Sequence, residues 1–325
     1  MFSKDSLRRA YRKTDPLRRK IKKTLVRKEL IEAALARLPI HEQDVLVSRA
    51  RQRLAAIEES LFHAEDSFST MMYTLLAYED IRGKSMLEIG PGAKLIQSAL
   101  LLAHGLGHYT AVDLYPAAVN EAAEDYKILR EHLEACSTLF PSIAYFDQQK
   151  EVLKRFDDIV RLENGRVVFD ETKMSYLQPV DAAELPLDDE TFDICFSNVA
   201  FEHFSRPGEA IRESFRVLKR GGLGMHNIDY RDHANQNDRL DFLQYTEDEW
   251  LAKGYVSPLY TNRRRHGFFA KGFREAGFDV LWEGIVDRQK PTEQQLARLA
   301  PQFRDISPEE LEILSALFVL RRPKD

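Results

Sequence analysis

The sequence predicts an α/β chain built on a doubly wound, parallel sheet, and three observations carry that expectation. Short apolar runs alternate with amphipathic segments from Ser85 onward. The first run, Ser85–Ile89, passes directly into Gly90-Pro91-Gly92. About twenty residues later a second run ends in an acid, Asp113. Glycines at 90 and 92 let the backbone turn sharply and approach a ligand without a side chain in the way. An acid at the tip of the second strand is placed to accept hydrogen bonds from a ribose diol, as in doubly wound nucleotide sites.

Each element follows from local pattern. Residues 1 to about 35 read as helix, with Leu17, Ile21 and Leu25 on one face and Pro16 in the first turn after Asp15. Residues 43–80 continue as helix, with Leu54, Ile57, Leu61, Met71, Met72, Leu75 and Leu76 as apolar positions. Residues 1–80 are therefore expected to be a helical extension and residues 81–325 the α/β domain. Strand 1 is Ser85–Ile89, helix A about 93–104, strand 2 Tyr109–Asp113, and helix B runs from Pro116 toward Cys136. Residues 139–172 interrupt the rhythm as an insert with a turn at Glu163-Asn164-Gly165. Strand 3 falls at 175–180, strand 4 at 192–197 and strand 5 at 223–228. A helix over 207–218 joins the last two and is read as ending at Gly221-Gly222. Residues 230–264 form a second, polar and aromatic insert. A helix at 268–276, a strand at 279–286 and a final strand at 316–320 close the chain.

The 325 residues, 44% hydrophobic, are ample for a sizeable core. The two cysteines, Cys136 and Cys195, form no Cys-x-x-Cys pair and no cluster with histidines, so neither a disulfide framework nor a metal site is expected. No apolar stretch is long enough for a membrane span and no signal-type segment opens the chain, which predicts a cytoplasmic protein. Residues 1–30 carry twelve Lys/Arg against three Asp/Glu, a net of +9; the formal total of −5 leaves −14 for residues 31–325. An acidic body argues against nucleic acid as a partner. Two readings of the basic arm stand: a docking helix for an anionic membrane surface on the inner face or for an acidic partner, and a helix packed on the protein's own acidic body.

The first glycine turn lacks the third glycine of a dinucleotide site, since Ala93, Lys94 and Leu95 follow Gly92. Glu88 also stands just ahead of it, where a carboxylate would repel a pyrophosphate but suits a cationic or amino-bearing ligand. The segment resembles motif I of the class I, Rossmann-like S-adenosylmethionine-dependent methyltransferases. Four further segments resemble that family in order and spacing: Asp113; Val180-Asp181-Ala182-Ala183-Glu184-Leu185-Pro186; Phe192 to His203; and Val217-Leu218-Lys219-Arg220-Gly221-Gly222. The resemblance implies a doubly wound, mostly parallel seven-stranded sheet with the seventh strand antiparallel beside the fifth. It implies S-adenosyl-L-methionine as cofactor, held by Glu88, Gly90, Pro91, Gly92, Asp113, Leu114, Asp181, Ala182 and Asn198. Lys94 departs from the family's small residue and Arg220 from its proline.

A sulfonium methyl is a good electrophile, and holding it in line with a nucleophile supplies about 7–11 kcal/mol. A hydroxyl acceptor also needs its proton removed, which a positioned base accelerates by about 10²–10⁴-fold. Candidates lie after strands 4 and 5: His203 first, His233 second, with Asp229 as partner or orienter. His226, within a strand, reads as a core residue. Residues 229–264 resemble a branch of these enzymes associated with bacterial surface polysaccharides, which implies a sugar hydroxyl on a glycan or glycolipid as acceptor. The alternative reading of that insert is a packed cap whose aromatics are core. The rival functions are a small-molecule or lipid-intermediate O- or N-methyltransferase and a non-catalytic scaffold on the same fold. The Asp/Asn-Pro-Pro-Tyr stretch of amino-directed nucleic-acid enzymes is replaced by Ser197-Asn198-Val199-Ala200. No paired acids follow strand 4, which speaks against a metal-dependent catechol-type enzyme.

Overall fold

Buried apolar strands and one-sided helices assemble in the computed structural model as the alternation predicts. The structure describes residues 75, 78–117, 122–135, 149–235, 237–256 and 259–325. The predicted helical extension over 1–80, with its basic arm, thus lies outside the described residues except at 75 and 78–80. In chain order the elements are β1 (Ser85–Ile89), α1 (Ile96–Ala103), β2 (His108–Val112), α2 (Ala123–Ala135), α3 (Gln149–Ile159), β3 (Val160–Glu163), β4 (Arg166–Phe169) and β5 (Met174–Leu177). They continue with β6 (Phe192–Asn198), α4 (Pro207–Arg216), β7 (Leu218–Asp229), α5 (Glu247–Ala252), α6 (His266–Glu275), β8 (Asp279–Arg288), α7 (Glu293–Ala297), α8 (Pro308–Leu311) and β9 (Ile313–Arg321). Among the described residues no helix is long and apolar enough to cross a membrane.

One seven-stranded sheet runs in the order β5-β2-β1-β6-β7-β9-β8, and β3 and β4 form a separate hairpin. β1 pairs parallel with β6, and β6 parallel with β7. β9 enters antiparallel between β7 and β8. The last four residues of β1 and the first eight of β9 are buried, as suits interior strands covered on both faces.

The chain divides into two compact units. Among the described residues the first comprises 75, 78–84, 92–109, 117, 122–135 and 149–175. Within it α2 and α3 are joined by Arg130, which donates to Asp157 at 2.7 and 2.8 Å. The Asn164-Gly165 turn of the β3–β4 hairpin has φ of 52° and 76°, the left-handed pair that such a two-residue turn requires. The second unit comprises residues 85–91, 110–116 and 176–325. Its main core gathers Leu87, Ile89, Val112, Cys195, Phe201, Ile211, Ile228, Phe269, Phe273 and Phe318.

Four boundaries differ from the sequence reading. α1 begins at Ile96 rather than near 93, because Leu95 is left-handed (φ 53°) and holds the preceding turn open. α2 begins at Ala123 rather than 116. β5 ends at Leu177, ahead of Pro179, which has no N–H to continue a ladder. The Gly221-Gly222 pair does not end a helix; α4 stops at Arg216, and the glycines lie inside β7. There the register jumps from Phe192↔Leu218 to Ile194↔Leu223, so residues 219–222 form a bulge. A Cβ at Gly222 would stand 2.7 Å from the Lys219 carbonyl oxygen, so only glycine fits.

The 230–264 insert is largely a second small core. Thr246 and Glu249 form a capping box at the start of α5. Phe242, Leu243 and Trp250 are buried with Leu240, Leu311 and Leu314, and the Trp250 indole N–H donates to the Thr261 carbonyl at 3.0 Å. Trp250 and Phe242 are therefore packing residues, and the packed-cap reading of the insert holds for them.

Candidate active site

The second unit holds the sequence-predicted residues other than Gly92, at or beyond the carboxyl ends of β1, β2, β5, β6 and β7, where open α/β sheets bind ligands. β1 is locked in register by its pairing, Glu88 opposite Phe196, so Glu88 is fixed near the strand end. Its side chain is 2% exposed and Oε2 has no hydrogen-bond partner. Burial, and then the charge of Asp113, push its carboxyl up to about 8. Buried polar groups are almost always satisfied, so an orphaned carboxylate oxygen is a signal of a binding site. Gly90, with φ 73°, follows; a Cβ there would lie 2.7 Å from the Ala200 Cβ. Gly92 has a similar φ of 74° but open space around the Cβ position.

Asp113 is fixed through its backbone, which donates to Leu177 at 3.2 Å and accepts from Val180 at 2.8 Å. Its Oδ1 accepts from the Tyr115 N–H at 3.0 Å. Burial raises its carboxyl above the usual range against the opposing backbone bonds. The next two residues, Leu114 and Tyr115, expose 54% and 49% of their surface, a large apolar patch beside the acid. Asp181 is the more committed acid. Oδ1 accepts from Ala183 N–H at 2.8 Å and Oδ2 from Arg206 at 2.9 Å. Burial acts to raise it, but Arg206 and Ala183 together hold it below the ordinary value. Each carboxylate oxygen keeps a further lone pair. Ala182 is buried, and Asn198 accepts from Asn227 at 2.9 Å across the β6–β7 pair.

Val199 leaves β6 with φ 54°, a costly conformation for a β-branched residue, and turns the chain into a 3-10 segment, Phe201–His203. Asn262 clamps this segment: its Nδ2 donates to the carbonyls of Phe201 and Phe204, and its N–H donates to that of Glu202. His203 Nδ1 lies 2.7 Å from the Tyr260 carbonyl. A carbonyl only accepts, so Nδ1 carries the hydrogen and Nε2 of the neutral ring is bare. Burial holds His203 below the ordinary histidine value, partly offset by the bond to Tyr260. The His203 and His233 rings meet edge to face, centroids 4.9 Å apart. His233 Nε2 lies 3.6 Å from Asp229 Oδ2, and Arg231 donates to the same carboxylate through its backbone and guanidinium. Although burial pushes Asp229 upward, those bonds keep it ionised, well below the usual range.

The structure brings together His203 and His233, which the sequence reading offered as alternative bases, with Asp229, offered as partner or orienter, and sets His226 apart. His226 is fully buried, hydrogen-bonded to Ser197 Oγ at 2.9 Å and stacked on Phe273, so it is a core residue as read. Sequence reasoning missed Tyr260, Arg231 and Asn262 as supports. Their only signal was membership of the 230–264 insert.

Residues 131–225 match the family model of the methyltransferase domain. The match includes Asp181, Asn198 and His203, while Glu88, Gly90, Gly92 and Asp113 precede it. The chain carries a methyltransferase domain, an enzyme domain that uses S-adenosylmethionine. No curated protein matches the sequence. Among solved structures, the chain is similar to the partner of the Trm112 methyltransferase activator in a Haloferax volcanii complex, with 19% identity, 83% of this chain and 96% of that chain covered, and a TM-score of 0.44. It is similar to an S-adenosylmethionine-dependent methyltransferase from Mesorhizobium loti (18%, 77% and 96%, 0.43). It is also similar to the YcgJ protein from Bacillus subtilis (19%, 80% and 99%, 0.41). At such scores these likenesses bear on neither acceptor nor mechanism.

Proposed function

We propose that this enzyme methylates a hydroxyl oxygen on a small-molecule or glycan acceptor, with His203 as general base. The observation that carries the reading is the hydrogen-free Nε2 of the half-buried His203, its tautomer set by the Tyr260 carbonyl. S-adenosylmethionine, when bound, supplies an electrophilic sulfonium methyl. Glu88, Gly90, Pro91, Gly92, Asp113, Leu114, Asp181, Ala182 and Asn198 are the residues that would hold it. The orphaned Glu88 oxygen suits an amino-bearing, cationic end, and Asp113 beside exposed Leu114 and Tyr115 suits a ribose next to a flat ring. As the oxygen–carbon bond forms and the sulfur–methyl bond breaks, which would leave the donor as a neutral thioether, the acceptor's hydroxyl proton would pass to Nε2 of His203. The ionised Asp229, behind His233, favours the positive charge that develops on the imidazoles. A sugar or lipid-linked glycan fits the polar side chains of the 230–264 insert, and a cytoplasmic setting fits a nucleoside cofactor.

The test pairs calorimetry of S-adenosylmethionine binding with a mass-shift screen of hydroxylated acceptors. His203→Ala is expected to lower kcat by about 10²–10⁴-fold while leaving the cofactor Kd unchanged. Unchanged turnover would remove the base assignment. Absence of cofactor binding at millimolar concentration would remove the enzyme reading altogether.

A further inference from the structure

We propose that Glu202, His203 and His233 form a binding site for one divalent transition-metal ion, with Zn²⁺ as its expected occupant. One ligand atom from each residue lies within 4.8 Å of the other two. Glu202 Oε1 and His203 Nε2 are 4.0 Å apart; a tetrahedral ion with bonds of about 2.0–2.2 Å sets its ligand atoms about 3.3–3.6 Å apart, so the side chains would draw together on loading.

Three independent features favour an ion over an ordinary polar cluster. Glu202 is 3% exposed, and both of its carboxylate oxygens lack hydrogen-bond partners. A buried carboxylate left doubly unsatisfied is costly, and a cation among the three side chains would satisfy it. His203 is also oriented from behind, as metal-ligating histidines are. His203 gives Nδ1–H to the Tyr260 carbonyl, and one nitrogen of His233 faces Asp229. The scaffold is already rigid: Asn262 clamps the 3-10 turn that carries Glu202 and His203, and β6 and β7 pair up to Asn198↔Asn227 at its base. The nearby guanidinium of Arg231 is occupied by Asp229, with Asp287 4.0 Å away, so its charge is largely neutralised by those carboxylates.

Two imidazole nitrogens and one carboxylate oxygen select zinc, iron, cobalt or nickel over magnesium or calcium, which want all-oxygen shells. Three protein ligands leave a tetrahedral ion one open position. The role of that position rests on the methyl-transfer reading: an acceptor hydroxyl bound there would be acidified by the ion, as zinc lowers bound water toward a pKa of about 7. In the loaded protein His203 would be a ligand and the acidified hydroxyl would give its proton to solvent water before the methyl is transferred; His203 would act as the base only in the metal-free protein.

The binding itself is tested without any acceptor. Untagged full-length protein is dialysed against chelator, then titrated with ZnCl₂ by calorimetry, and with CoCl₂ while visible d–d absorption is followed. One equivalent is expected in the wild type. Glu202→Gln, His203→Gln and His233→Gln should each weaken binding by at least about 100-fold, and Asp229→Asn by about 10–100-fold. Circular dichroism and S-adenosylmethionine titration of the same samples report folding and cofactor binding separately. No stoichiometric zinc in a wild type that still binds S-adenosylmethionine overturns the metal site and leaves the methyl-transfer reading standing. Wild-type zinc affinity in a folded Glu202→Gln variant would overturn the site equally.

Discussion

Glu88 offers the sharpest measurement. Its carboxyl is raised to about 8 by burial and by Asp113, so at pH 7 about one molecule in ten of the free protein carries the charge there. A ligand that needs the ionised form must first displace a proton, at about 1.4 kcal/mol for the one unit between pH 7 and the pKa. The expected consequence is a cofactor Kd that tightens about fivefold as pH rises from 7 to 8 and by about a further twofold before it levels off above about pH 9. Binding at pH 7 should release nearly one proton. Calorimetry in buffers of different ionisation enthalpy reads that number directly, as the slope of observed heat against buffer enthalpy. The cofactor's own amine titrates nearby, so Glu88→Gln is the necessary subtraction: the variant keeps the ligand's share of the linkage and loses the carboxylate's. Identical proton release and identical pH dependence in the two proteins would refute the assignment of Glu88 to the cofactor's cationic end.

Two further outcomes follow from the geometry. Gly90→Ala combines a left-handed backbone with a Cβ 2.7 Å from Ala200 and should cost about 2–5 kcal/mol, whereas Gly92→Ala, with the same backbone and open space, should cost only about 1–2 kcal/mol; urea midpoints of the two variants check the difference. His226 and His104 are buried, and burial depresses them to about 3 and about 4, below the 6.5 of the unfolded chain. The unfolded state therefore binds more protons than the folded state below pH 6.5, so stability falls as pH drops toward 4, with a slope of up to about 2.7 kcal/mol per unit for the two groups. Denaturant titrations at pH 7, 6, 5 and 4 check it, and His226→Gln should shallow the slope.

What could be read from the sequence was local. β1, its glycine turn and Asp113 announce themselves because each depends on neighbours within a few residues. The antiparallel last strand beside the fifth came from family resemblance, and pairing bears it out. The Gly221-Gly222 pair misled because a glycine pair after a helix reads alike as a helix cap or a bulge; only the register against β6 separates them. Leu95 misled because nothing in a leucine announces a left-handed residue. The site behind the histidines was illegible for a different reason. Tyr260 acts on His203 from 57 residues away, and Glu202 and His233 meet only because β6 and β7 pair. Whether the aromatics of the 230–264 insert were core could not be read from residue type; Phe242 and Trp250 are core.

The close fit of Gly90 against Ala200 puts the turn after the first strand and the turn after the fourth back to back. Ala200 stands two residues ahead of Glu202, in a stretch already wound tight at Val199. Neither wall can shift by much without the other feeling it. Filling one side of this partition presses on the other, so occupancy by the methyl donor would be sensed among the histidines with no lid, hinge or domain motion to carry the message.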